Sequence, residues 1–123
     1  MGADGEHADL VTKRSPKIYL HDIAEAITMI EEALAGRTLP EFEADLFRRR
    51  AIKRALEIVS EASRRIPENL LAEHGHIAWR RVHDLGNVLR HAYHAVEAAR
   101  LWDIIFDDLP ILKAAVTSMS AKL

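Results

Sequence analysis

The chain has 123 residues, of which 49% are apolar and 29% charged, with a formal net charge of -2. That length suits one domain with a true core and hardly two. The near-neutral balance excludes a global field for polyanions, so any nucleic-acid contact has to be local. The absence of cysteine removes disulfides, thiolate metal sites and a thiol nucleophile, and suits a reducing cytoplasm.

No apolar run approaches the roughly 20 residues that span a bilayer. The start "MGADGEHADL" lacks the basic and apolar regions of a secretory signal. Glu6 also stands where a myristoylation motif needs Ser or Thr. A cytoplasmic protein without a membrane segment is expected. Residues 1–15 are polar and aperiodic and read as a disordered arm, with a single helical domain over 16–123.

Ser15 and Pro16 form an N-cap with proline in the first helical turn. Ile18, Ile23, Ile27, Ile30 and Leu34 then recur at helical spacing up to a cap at Gly36. Thr38 with Glu41 makes a capping box for the next helical start. The main second helix carries Leu46, Ile52, Leu56, Val59 and Ala62 as its apolar stripe and stops at Pro67. A third helix is expected from about Ile77 to Tyr93 and a fourth over roughly 95–106. Asp107, Asp108 and Pro110 offer a cap and a kink before a last helix to about 120. No segment alternates like a strand, so the expected fold is all-α, an up-and-down bundle of four or five helices.

The stretch "LGNVLRHAYHAV", residues 85–96, concentrates the polar chemistry of the third helix. On a helical wheel Val82, Gly86, Leu89, Tyr93 and Val96 share one stripe. His83, Asn87, Arg90, His91 and His94 share the other, with Arg80 above them. Asn87 and His91 are i and i+4, close enough for the amide to orient the imidazole. His91 and Tyr93 lie about 200° apart on an ideal helix. To line one pocket, either the helix must distort near residue 91 or a second helix or subunit must share the pocket. Gly86 costs about 1 kcal/mol against alanine inside a helix, which predicts close packing of another backbone, either within the bundle or across a dimer.

"GNVLRHAY" and the later "LWDIIFDDLPIL" resemble the HepT-like toxins of the HEPN superfamily. The similarity extends upstream to "IYLHDIAEAITMIEEAL" and "ALEIVSEASRRI", in the family order over most of residues 17–113. The resemblance implies a compact helical homodimer, encoded beside an MNT-type nucleotidyltransferase antitoxin, that cleaves RNA without a metal or other cofactor. His91 and Tyr93 take the positions of the motif histidine and tyrosine, and Tyr93 becomes the adenylylation candidate. Asn87 matches the polar residue that follows the motif arginine. The arginine itself is missing, because Gly86 stands where it would be.

Metal-free RNA cleavage needs a base near the ribose 2′-hydroxyl, an acid for the leaving 5′-oxygen and positive charge for the phosphorane. Histidine suits the first two tasks and arginine the third. His91, Asn87, Tyr93 and Arg90 are therefore the candidate catalytic set, with Arg48, Arg49, Arg50 and Lys53 as a guide for RNA or simply a solvated basic face. The alternative is a catalytically impaired HEPN-family binding protein, favoured by the missing arginine. A histidine metal site built from His91, His94, His74 and His76 is a remote third reading, since nothing in the spacing makes those ligands converge. Glu57 and Glu61 read as structural carboxylates, one of them partly buried beside a cation, and Trp79 and Trp102 as core or interface aromatics.

Overall fold

The computed structural model describes residues 15–91 and 94–123, with the side chains of 94–97 outside that description. The expected arm before Ser15, Tyr93 and the His94 side chain therefore lie outside the described residues. The helices are α1 (Pro16–Leu34), α2 (Leu39–Ala44), α3 (Leu46–Ser63), α4 (Glu68–Ala72), α5 (Trp79–Arg90), α6 (His94–Asp103) and α7 (Leu109–Ala121). Ile104–Asp108 form a π-helical turn that joins α6 to α7 without a break. Four long rods result, and no strand occurs among the described residues. The all-α bundle expected from periodicity is the observed fold, and it is consistent with the HEPN-like fold that the resemblance implies.

Local chemistry sets most boundaries. The Ser15 hydroxyl accepts the Lys17 N–H at 3.3 Å, and Gly36 takes φ +71° just past the end of α1. At α2, the Glu41 carboxylate accepts the Thr38 N–H at 2.9 Å and the Thr38 hydroxyl accepts the Glu41 N–H at 3.4 Å. These bonds from Thr38 hold the Glu41 carboxyl below its ordinary range. A depressed folded pKa means the cap stabilises the helix at neutral pH and loses that effect as the pH falls through the carboxylate range. Asp45 then ends α2 and caps α3 through the Arg48 N–H at 3.0 Å.

The core lies between α1, α3, α5 and the long α6–α7 rod. Leu20, Ile23, Ile27 and Ile30 of α1 meet Ile52, Leu56 and Val59 of α3, all at 1% exposure or less. Each such side chain contributes roughly 1.5–3 kcal/mol by leaving water. Two residues of the expected stripes fall outside the core, since Ile18 and Leu46 are both 43% exposed. Each sits in the first turn of its helix, and in α1 Leu20 takes the buried place instead of Ile18.

The expected cap and kink at Asp107–Pro110 give way to a continuous rod. Asp108 stays in the right-handed helical region and makes no side-chain cap. The Leu109 N–H reaches back five residues to the Ile104 carbonyl. Proline cannot donate, and in an α-helix its ring collides with the carbonyl four residues earlier. Widening the turn before Pro110 relieves that collision while the helix continues. Among the described residues no helix is long and apolar enough to cross a membrane.

Candidate active site

The third helix, expected to run to about Tyr93, stops earlier, so of the two alternatives a distortion near residue 91 is present. α5 ends at Arg90, His91 follows with φ -102° and ψ 0°, and α6 begins at His94. The His91 N–H closes the last turn on the Val88 carbonyl at 3.2 Å. Its side chain is exposed. A straight helix would have held residues 91 and 93 on opposite faces, and ending the helix at 90 removes that constraint.

The two stripes of α5 separate as the wheel predicts. Gly86 and Leu89 are buried, whereas Arg80, Asn87, Arg90 and His91 are exposed and His83 is half-buried. The polar stripe is not a plain solvated face, however. Arg64, from just beyond the end of α3, lines a shallow groove together with Arg80, Arg81, His83, Asp84, Asn87 and Arg90. Four arginines face one carboxylate there. The sequence pattern holds no signal for Arg64, because the register between two helices is a tertiary property.

Ser60 sets that register. Its hydroxyl, fully buried, donates to the His83 carbonyl at 2.7 Å and accepts the Gly86 N–H at 3.3 Å. Arg64 adds an Nε–H bond to the same His83 carbonyl at 2.9 Å and an Nη2–H bond to Ser60 Oγ at 3.2 Å. Arg64 with His83 and Ser60 with Gly86 make α3 and α5 antiparallel. The basic first half of α3 therefore lies toward the His91 end of α5. Within that half, Arg48 donates to the Ala33 carbonyl at 3.0 Å and pairs with Asp45 at 3.3 Å. Arg49 is buried, Lys53 is half-buried and Arg50 is exposed. Arg48 and Arg49 belong to the fold, and Arg50 is the exposed cation of the group.

Gly86 corrects the within-bundle half of one expectation. No backbone crowds it: a Cβ at this position would meet Ser60 Oγ at 3.5 Å, Ser60 Cβ at 3.8 Å and Arg64 Nη2 at 3.9 Å. Those are ordinary contacts, so alanine fits. Gly86→Ala is expected to stabilise the protein by about 1 kcal/mol through helix propensity, read as a higher midpoint in urea denaturation. A lower midpoint would show that the Ser60–Gly86 contact tolerates no added atom.

The remaining candidates take structural places. Glu61 is exposed and pairs with Arg54 at 3.3 Å, while Glu57 is half-buried. Trp79 Nε1–H donates to the carbonyls of Leu71 and His74 at 3.0 and 3.1 Å. Trp102 packs between Phe42 and Phe106, at ring-centre distances of 5.9 and 4.6 Å. The His74 and His76 rings lie 5.9 Å apart, but no three metal-ligating side chains converge among the described residues. Asn87 sits one turn before His91, and no hydrogen bond joins the two.

Comparison with known proteins bears on this arrangement. The family model described as "Ribonuclease HepT-like" matches residues 23–119. The "Probable ribonuclease HepT" of Thermococcus cleftensis is 43% identical over 101 residues, covering 82% of this chain and 92% of the relative. Two further relatives carry the name "Putative RNase". One, from Methanocaldococcus jannaschii, is 33% identical over 106 residues, which is 86% of this chain and 97% of the relative. The other, from Caldanaerobacter subterraneus, is 27% identical over 109 residues, 89% and 97% of the two chains. No solved structure gives a match.

Proposed function

Because this chain belongs to the HepT-like ribonuclease family, we propose that it is a metal-independent endoribonuclease and the toxin of a toxin–antitoxin pair. The observation that carries this reading is the setting of His91. The residue at the motif-histidine position is exposed where α5 ends, and it directly follows Arg90, which with Asn87 lines an arginine-rich groove.

In the proposed reaction the ribose 2′-oxygen attacks the adjacent phosphorus and the bond to the 5′-oxygen breaks. The products are a 2′,3′-cyclic phosphate and a free 5′-hydroxyl. His91 takes the 2′-hydroxyl proton or returns one to the leaving oxygen. One imidazole cannot hold both ends of an in-line displacement at once, so a second copy of the chain supplies the other group. Arg90 carries charge toward the phosphorane, Asn87 engages the imidazole only once substrate is bound, since catalytic hydrogen bonds often close in the complex, and Tyr93 contacts substrate.

A homodimer is supported by the face between α5 and the π turn. Val82, Leu85, Val88, Ile104 and Ile111 line an apolar depression there, rimmed by Arg81 and Arg100 and by Asp103, Asp107 and Asp108. A rim with both signs of charge can match its own copy across a two-fold axis.

The partner in this reading is an MNT-type nucleotidyltransferase that silences the toxin by adenylylating Tyr93. Incubation with the nucleotidyltransferase and ATP is expected to add the mass of one AMP, and Tyr93→Phe to remain unmodified. Equal AMP addition to both proteins would move the modification away from Tyr93. A second reading, an impaired member that binds RNA without cleaving it, is favoured by Gly86 at the position of the motif arginine. RNA degradation by the purified protein in EDTA separates the two.

A further inference from the structure

We propose that Arg64, reaching from the end of α3 over the gap beside Gly86, is the phosphate-binding cation of the RNA groove. The proposal rests on the ribonuclease reading for its substrate, while its geometry stands on the groove alone.

The Arg64 guanidinium occupies space that a side chain at position 86 would claim, with Nη2 3.9 Å from where that Cβ would be. It is also held in place. Nε–H bonds the His83 carbonyl and one Nη2–H bonds Ser60 Oγ. Ser60 is itself fully buried and bonded to α5. An arginine has five N–H donors in a rigid plane. Two are engaged here, so three remain for an incoming anion, enough for the paired bonds that a phosphate accepts.

Charge points the same way. Arg48 and Arg54 are each paired with a carboxylate. Arg64 has no carboxylate partner among the described residues. The same groove is lined by Arg80, Arg81 and Arg90, with Asp84 as the one acidic residue of the lining. A phosphodiester entering this groove gains attraction from several sides. The guanidinium that meets it is already oriented, so little side-chain freedom is lost on binding. Glycine at position 86 then has a consequence: it leaves room for an arginine supplied by the neighbouring helix rather than by α5 itself.

The test uses a fluorescent single-stranded RNA with 2′-O-methyl riboses, which has no attacking hydroxyl and reports binding without cleavage. Anisotropy titrations over a range of salt are expected to show the slope of log affinity against log salt falling by about 0.7 in Arg64→Gln, the share of one phosphate contact. Affinity is expected to drop about ten-fold or more, as for a lost charge-assisted bond. Glutamine retains a donor for the His83 carbonyl, so the helix tie survives while the charge is gone. Arg64→Gln/Gly86→Arg, which restores the charge from the other helix, is expected to recover the slope.

A purely structural Arg64 would lower the melting temperature of Arg64→Ala and leave the salt slope of Arg64→Gln unchanged. That result, or no binding by the wild-type chain, overturns the proposal. Failure of the wild-type chain to cut unmodified RNA while the slope still depends on Arg64 would remove the ribonuclease reading and leave the phosphate site standing.

Discussion

His91→Ala is expected to reduce RNA cleavage in EDTA by about 100- to 10,000-fold, the usual range for a positioned acid or base. The loss should appear without unfolding. His91 is exposed at the C-terminal end of α5, and its backbone N–H closes the final turn whatever the side chain. Substitution of such a surface residue typically changes stability by no more than about 0.5 kcal/mol. Initial rates on a labelled RNA, with thermal melts of both proteins, make the comparison direct. If the alanine variant cuts as fast as the wild type, His91 has no part in the chemistry. EDTA matters because it removes the contribution of any contaminating metal-dependent nuclease.

Phe42→Ala should have the largest effect on stability, about 3–5 kcal/mol. Phe42 is fully buried in the short helix α2, and its ring packs 5.9 Å from Trp102 of α6. That contact docks α2 onto the rod that begins directly after the His91 turn. Since a domain of this size is stable by only about 5–15 kcal/mol, the variant should lie near its threshold. It should also lose activity on mild warming, when α6 is no longer held. Urea denaturation measures the first effect, and cleavage rates at two temperatures measure the second. Phe42→Leu, which retains most of the apolar volume, should cost less than about 1.5 kcal/mol. A loss under about 1 kcal/mol for the alanine variant would mean that α2 does not secure α6.

Much of this molecule is legible one residue at a time. The Ser15 and Thr38 caps, the end of α1 before Gly36 and the apolar stripes of α1 and α3 follow from local rules, because capping bonds and helical periodicity involve neighbours in the chain. The exceptions are informative. Asp107, Asp108 and Pro110 carry every local sign of a helix break. A single π turn absorbs the proline, and the rod continues, with Leu109, Leu112, Val116 and Met119 buried beyond it. Burial of those side chains outweighs what a broken helix would have gained in local comfort.

The candidate site divides along the same line. His91, Asn87, Arg90 and the odd glycine at 86 stand out from twelve consecutive letters, and the family resemblance starts from that run and extends over most of residues 17–113. A helix that stops at Arg90 was one of two solutions to the wheel's conflict between residues 91 and 93. What a one-dimensional pattern cannot contain is the pairing of α3 with α5. Ser60 reads as an ordinary polar residue and Arg64 as a solvated charge. Only the antiparallel packing brings the hydroxyl of one to the Gly86 N–H and the guanidinium of the other over the groove. Local bonding and periodicity thus determined the all-α class, most helix starts and the segment where the candidate residues lie. Which cation reaches the groove beside Gly86 is decided by helix-to-helix register, a property of the packed core.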